Sequence, residues 1–154
     1  MTDTIFQASD LANKRTELLS AARSGLARLR DKDGTSLVML PESKLRLLEV
    51  LSEWSRALLR LEALISRGVT PSISDLGELA WLRVFGAEDL QEFMSDLQAS
   101  LVAAHADGDV ATLDECLHAW RTTARQLEDP LRRSVLLGRH EPADFVEASR
   151  PDHE

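Results

Sequence analysis

The chain has 154 residues, of which 44% are hydrophobic, so it is long enough for one ordinary domain or for a small domain with an extension. Its single cysteine excludes an internal disulfide and a zinc site built from several cysteines. The first ten residues, MTDTIFQASD, lack the basic start of a signal peptide, and no apolar run approaches the roughly 18 residues of a membrane span, which predicts a cytoplasmic protein.

Charge is divided unevenly along the chain. The net charge is −8, but residues 1–70 carry eleven basic and nine acidic side chains, whereas residues 71–154 carry seven and seventeen. The first part is therefore +2 and the second −10. This asymmetry indicates a first part that can approach phosphates. The acidic second part either attracts a basic partner or is simply a solvated surface.

A short strand followed by a helix is predicted at the start of the chain. Residues 4–7 contain β-forming side chains, and Ser9 or Asp10 can cap a helix by accepting a backbone N–H bond. Apolar side chains at helical spacing extend this helix to about residue 24, and Gly25 suits the position after its last turn.

A β-hairpin is predicted next. Alternating apolar and basic residues at 26–30 and an apolar run at 36–40 indicate two strands, and the Asp33-Gly34 pair between them is typical of a hairpin turn. Because side chains alternate along a strand, Arg28 and Arg30 share one face, which we expect to point outward.

A long helix is predicted to begin at Pro41 and Glu42 and to end before Gly68 and Pro71. Its apolar side chains follow heptad spacing at Leu47, Leu51, Trp54, Leu58, Leu61 and Ile65. Further leucines widen this face: Leu45, Leu48, Leu59 and Leu64. Such a face must pack on helices of the same chain, of a second copy or of a partner. This face and the sheet edge at residues 4–7 both need covering, which predicts at least a dimer.

The remainder of the chain is predicted to be helical. Apolar spacing indicates a short helix over 73–82 and two longer helices over 90–104 and 110–127. Because the turn between the last two is short, they should form an antiparallel hairpin. Residues 131–137 are expected to add one or two turns, and residues 139–154 have the composition of a flexible acidic tail.

The order of elements at the start of the chain resembles a known family. The segment TIFQASDLANKRTELLSAARSGLARLRDKDGTSLVMLPESKLRLLEVL, at about residues 4–51, is similar to the amino-terminal domain of prevent-host-death antitoxins. The resemblance depends on the Ala-Ser-Asp-Leu helix start, the arginine-bearing strand, the Asp-Gly turn, the Leu-Val-Met-Leu strand and the Pro-Glu helix opening. Residues 74–128, with LAWLRVFGAEDL and HAWRTTA, look similar to the helical extensions of actinobacterial members.

The expected fold class is therefore α+β. A strand-helix-hairpin-helix domain at 1–70, which dimerises and binds DNA, is followed by an all-helical, partner-binding extension at 72–138 and the acidic tail at 139–154. The resemblance implies that the first domain binds the operator of its own operon and that the remainder wraps a toxin, for which a small basic ribonuclease of the RelE/ParE type is our candidate. The chain departs from the family pattern at Ala12, where members often have arginine, and in the length of its extension.

The candidate DNA-binding residues are Ser9, Asn13, Lys14, Arg15, Arg28, Arg30 and Lys32. Backbone N–H groups at a helix amino terminus bind phosphate, and nearby long polar side chains can read base edges. The alternative interpretation is that these are ordinary exposed charges.

The candidate partner-binding residues are the apolar side chains Trp81, Phe85, Phe93, Trp120, Phe145 and Val146. Aromatic residues dominate the binding energy of many interfaces. The alternative is that the tryptophans, with Trp54, are anchors of the core.

No enzymatic, metal-binding or cofactor-binding function is expected. The four histidines lie in no recognised motif, and Cys116 and His118 are two positions apart on a helix, so they point about 200° away from each other and cannot share a metal. No glycine-rich phosphate loop, nucleophile elbow or paired-carboxylate motif is present. The preferred hypothesis is an antitoxin that also represses its own operon. The alternative is a stand-alone transcriptional regulator whose extension serves oligomerisation or ligand sensing.

Overall fold

The computed structural model describes residues 5–68, 71–129, 134 and 137. These residues form a mostly helical protein with one three-stranded sheet, which confirms the α+β class. In this part of the chain, no helix has both the length and the apolar character needed to cross a membrane.

The elements follow one another in a simple order. They are β1 (Ile5–Gln7), α1 (Asp10–Asn13), α2 (Arg15–Arg23), β2 (Ala27–Arg30), β3 (Ser36–Met39), α3 (Glu42–Ile65), α4 (Ile73–Leu76), a 3₁₀ helix (Gly77–Val84), α5 (Ala87–Asp107) and α6 (Ala111–Glu128).

The small sheet has β2 at its centre. β2 pairs in parallel with β1, where Phe6 lies opposite Leu29, and antiparallel with β3, where Leu37 lies opposite Leu29. One face of the sheet packs on α2 and forms a small core of Phe6, Leu18, Ala22, Ala27 and Leu29. Arg28 and Arg30 are exposed on the opposite face, as the alternation predicts. We call residues 5–39 the sheet module.

The first helix is broken, contrary to the prediction of one helix from about 10 to 24. Lys14 leaves helical geometry with φ −125° and ψ 32°, which separates α1 from α2. The predicted cap is also wrong, because no side chain caps the start of α1. Asp10 instead accepts the backbone N–H of Gln7 at 2.8 Å, so its carboxylate joins β1 to α1.

The heptad face of α3 packs within the same chain. Leu47, Trp54 and Leu61 are buried, and α5 lies against this face, so no second copy is needed to cover it. The expectation that this face requires a dimer is therefore wrong. The four leucines predicted to widen this face lie in different environments. Leu64 is half-buried, whereas Leu45, Leu48 and Leu59 are exposed.

The short predicted helix at 73–82 is two elements. Ser72 caps α4 by accepting the Asp75 N–H, while the Asp75 carboxylate accepts the Ser72 N–H. The chain then turns at Gly77, whose φ is +56°. The backbone conformation therefore favours glycine, and a Cβ at this position would also crowd the Arg60 guanidinium at 3.1 Å.

α5 and α6 form the predicted antiparallel hairpin. Gly108 ends α5 in the left-handed conformation, with φ 74°. Together with α3, α4 and the 3₁₀ helix, this hairpin encloses the main core of the protein, which we call the helical core. The extra turn predicted over 131–137 lies mostly outside the described residues, and the tail at 139–154 lies wholly outside them.

Candidate nucleic-acid and partner interfaces

One end of the sheet gathers several polar segments. Since β1 and β2 are parallel, both finish at this end, at Gln7 and Arg30. β1 continues into α1 through a turn in which the Ala8 N–H donates to the Arg30 carbonyl at 3.0 Å. β2 continues into the hairpin turn, which contains Lys32. We call this edge the sheet end.

Six of the seven candidate DNA-binding residues lie at or next to the sheet end, on the first two helices, at the end of β2 and in the hairpin turn: Ser9, Asn13, Lys14, Arg15, Arg30 and Lys32. The seventh, Arg28, lies mid-strand, paired with Ile5 and Val38. All seven side chains are exposed. Residues that are up to 23 positions apart in the sequence are therefore brought to one side of the sheet module.

The carboxylates at the sheet end hold the backbone in place. Asp10 binds the Gln7 N–H and forms an ion pair with Lys14 at 3.6 Å. Asp31 and Asp33 accept backbone N–H groups within the hairpin turn, from Lys32 and Thr35. The Thr35 hydrogen bonds lower the pKa of Asp33, so this carboxylate is charged at neutral pH. The acids therefore order the loops that carry the basic residues.

The exposed face of the sheet combines charge with apolar surface. Arg28 lies between Ile5 and Val38, which are 50% and 55% exposed. Leu37, on the edge strand β3, is 49% exposed on the opposite face, where it pairs with the buried Leu29. A module with a core of only five buried side chains thus leaves several large apolar groups in solvent.

Four candidate partner-binding residues meet in one aromatic cluster at the junction of the 3₁₀ helix, α5 and α6. Trp81 contacts Phe85 and Phe93, and Trp120 contacts the same two rings, so the four form a closed cycle. Centroid distances are 5.2–6.5 Å and the rings are nearly perpendicular, which is a favourable arrangement for aromatic pairs.

This aromatic cluster belongs mainly to the core. Phe93 is fully buried and Phe85 is 6% exposed, so neither offers a surface to a partner, and their prediction as partner contacts does not hold in this fold. Trp81 and Trp120 are half-buried. The Trp120 indole N–H donates to Asp96 at 3.0 Å, whereas the buried indole N–H of Trp81 has no acceptor in the described part of the chain. Phe145 and Val146 lie outside the described residues.

Arg121 joins three helices in a way that the sequence did not reveal. Its guanidinium lies 5.7 Å from the ring centroids of both Trp54 on α3 and Trp81 on the 3₁₀ helix. Such cation–π contacts are favourable when they are partly shielded from water. Sequence spacing gave no indication of this arrangement, because each of the three residues belongs to a different element.

The helical part is strongly acidic. Residues 71–129 carry twelve acidic and three basic side chains, a net charge of −9. Almost all of these acids are exposed on α4, the 3₁₀ helix, α5 and α6. Within the described residues, no group of three histidine, cysteine or acidic side chains is arranged to hold a metal ion.

No protein-family model, curated protein or solved structure matches this chain. Its function is therefore inferred from the placement of its residues, and the family resemblance remains an inference from the sequence.

Proposed function

We propose that this chain is an antitoxin of a type II toxin–antitoxin system, which binds its toxin directly and represses its own operon by binding operator DNA. One observation carries the proposal. Six of the seven candidate DNA-binding residues lie at or next to one end of a small sheet module, while the acidic helical part contains Trp81 and Trp120, the candidate partner-binding aromatics that are only half-buried. A small basic toxin, such as a ribonuclease, complements the charge of −9 on the helical part.

The sheet module is proposed to act as a homodimer. It spans about 35 residues, and folding units below about 40 residues usually need disulfides, metals or oligomerisation for stability. Its exposed Ile5 and Val38, on the same face as Arg28, and Leu37, on the other face of the edge strand, provide apolar surface for a second copy. A dimer would also present two sheet ends to one stretch of duplex DNA, as symmetric operators require.

A mobility-shift titration of the full-length protein on the DNA upstream of its gene tests the repressor role. Replacing Arg28 and Arg30 together by alanine should weaken binding to all sequences and reduce the dependence of log K on log salt by about one per arginine. The matched control changes Arg23 and Arg46, which are exposed near the opposite end of the module, and should bind like the parent. If the Arg28/Arg30 variant and the Arg23/Arg46 control bind DNA equally well, the sheet face that carries Arg28 and Arg30 does not bind the operator.

A growth-rescue assay tests the antitoxin role. The product of the neighbouring gene, expressed alone, should arrest growth, and co-expression of the full-length chain should restore it. Operator binding without rescue would support the stand-alone regulator instead. If the protein neither binds the operator nor restores growth, the proposed function is wrong.

A further inference from the structure

A second line of residues at heptad spacing runs along α3, on the opposite side of the helix from the buried Trp54 and Leu61. We call it the outer stripe. Its leucines are 46%, 53% and 64% exposed in chain order, so they lie in solvent in the described part of the chain. All members of the stripe are exposed, and they are spaced 3, 4, 3, 4 and 3 positions apart: Leu45, Leu48, Ser52, Ser55, Leu59 and Glu62.

The outer stripe is nearly symmetric about its midpoint, which lies between residues 53 and 54. Leu48 and Leu59 are equally far from this midpoint, and so are Ser52 and Ser55. When two copies of α3 are placed antiparallel about it, Leu48 of each copy lies opposite Leu59 of the other. The serines meet at the crossing, where small side chains let two helix axes approach closely. Contacts between identical chains around a two-fold axis require this kind of self-complementary surface.

The charges along one side of the outer stripe have the same symmetry with opposite sign. Glu49 and Glu53 precede the midpoint, whereas Arg56 and Arg60 follow it, so this row has no net charge. In an antiparallel pair, Glu49 of each copy lies beside Arg56 of the other, whereas a parallel pair would place like charges side by side. The row therefore favours a copy of itself over a uniformly acidic or basic partner.

The groups needed for these ion pairs are available. Neither Glu49 nor Arg56 forms an ion pair with another described residue, and both side chains are exposed. Arg56 is held on its own helix through Nε, which donates to the Ser52 carbonyl at 3.2 Å. Its terminal N–H groups can therefore bind a carboxylate of a second copy.

The other side of the outer stripe is apolar. Leu51 and Leu58 pack against the helical core but are only half-buried. In the same antiparallel pair, Leu51 of each copy lies next to Leu58 of the other. One edge of the contact is thus apolar and the other consists of complementary charges, so both edges agree on one direction of pairing.

We propose that α3 pairs antiparallel with α3 of a second copy through the outer stripe. The pairing does not rest on the proposed function, because it involves neither DNA nor a toxin. It also uses no residue of the sheet module, so it joins homodimers of that module into larger assemblies. The stripe is about 26 Å long and contains only three leucines, so pairing should require micromolar concentrations or higher. Thermal melts at lower concentrations then report on chains that are unpaired at α3.

A charge-swap experiment with full-length chains tests whether two copies meet at this stripe. Glu49→Arg places arginines beside each other across the contact, and Arg56→Glu places glutamates there, so each variant alone should associate about fivefold more weakly than the parent. An equimolar mixture of the two should associate like the parent, because opposite charges then face each other. Sedimentation equilibrium over a range of concentrations measures this association. A mixture that associates no better than either variant alone would overturn the proposal.

The controls make the same charge changes elsewhere. Glu92→Arg and Arg125→Glu alter exposed side chains on α5 and α6, and neither should change the association of the chain. If these controls weaken association as much as the α3 variants do, general electrostatic attraction explains the effect and the proposal is wrong.

Crosslinking tests the direction of pairing. Leu45→Cys and Glu62→Cys are made in separate full-length chains that also carry Cys116→Ser, which removes the native thiol. Antiparallel pairing places the two new thiols opposite each other, whereas it holds identical positions of the two copies about 26 Å apart. A short bis-maleimide should therefore crosslink the mixture more efficiently than either variant alone. Equal or weaker crosslinking of the mixture would overturn the proposal.

Two other occupants of the outer stripe would give a different result. If another segment of the same chain or a different protein covers it, both charge variants, singly and mixed, would associate like the parent, and the mixture of thiol variants would show no preferred crosslink. Either occupant would overturn the proposal. Circular dichroism of every variant verifies that the helices remain folded.

Discussion

Leu59 and Leu61 lie two positions apart on α3 in opposite environments, so they form a matched pair for testing which face of this helix supports the fold. Leu61 is fully buried against the helical core, whereas Leu59 is 64% exposed. Replacing either by alanine removes the same three carbon atoms. The chemical change is therefore identical, and only the surroundings differ.

The expected cost of Leu61→Ala follows from its burial. Three buried carbons at about 0.8 kcal/mol each give about 2.4 kcal/mol, and an incompletely filled cavity raises the loss to about 3 kcal/mol or more. At about 2–4 °C per kcal/mol for a chain of this size, Tm should fall by about 6–12 °C. Leu59→Ala should change the free energy of unfolding by less than about 0.5 kcal/mol.

Tryptophan fluorescence is a selective assay for this prediction. The chain has three tryptophans and no tyrosine, and Trp54, Trp81 and Trp120 all pack in or against the helical core. Thermal melts followed with excitation at tryptophan wavelengths therefore report on the unfolding of that core, without a contribution from the sheet module. Equal Tm shifts for the two leucine variants would refute the assigned packing of α3.

Three further results are expected. Asp96→Ala removes the acceptor of the Trp120 indole and should lower the free energy of unfolding by about 1 kcal/mol in a urea titration. Hydrogen bonds from Ser72 lower the pKa of Asp75 below its ordinary value of 3.8, so the stability that this carboxylate adds is complete above that pH and is lost as the pH falls below it. Asp75→Asn should therefore flatten the acid limb of a stability–pH curve, and an unchanged limb would contradict the assignment. Gly108→Ala, at φ 74°, should cost about 1 kcal/mol by thermal melting, and a gain in stability would show that this turn is not left-handed.

Elements with a clear apolar period were predictable from the sequence. The spacing in α3, α5 and α6 gave their existence and nearly their ends, and the Asp33-Gly34 turn gave the hairpin. Strand alternation also predicted the outward arginines. In each case a local rule and the tertiary packing select the same structure.

Other features depend on contacts between distant residues. The turn at Gly77 requires space for the Arg60 guanidinium, 17 positions earlier in the chain, so the apparent single helix at 73–82 could not be divided from its own spacing. The same applies to the candidate sites. Residue type predicts Phe93 as a contact for a partner, but α5 directs it into the core. The position of Arg121 depends on two aromatic partners that lie on other elements, so its own sequence neighbours do not indicate it.

The order in which elements emerge during translation has a consequence for α3. The sheet module can close once residue 39 has left the ribosome, because all its pairings lie before that point. The apolar face of α3 must wait for α5, which ends 42 residues after α3 does. At about 5–20 residues per second, this face remains uncovered for about 2–8 seconds, long enough for a chaperone or a neighbouring nascent chain to bind it.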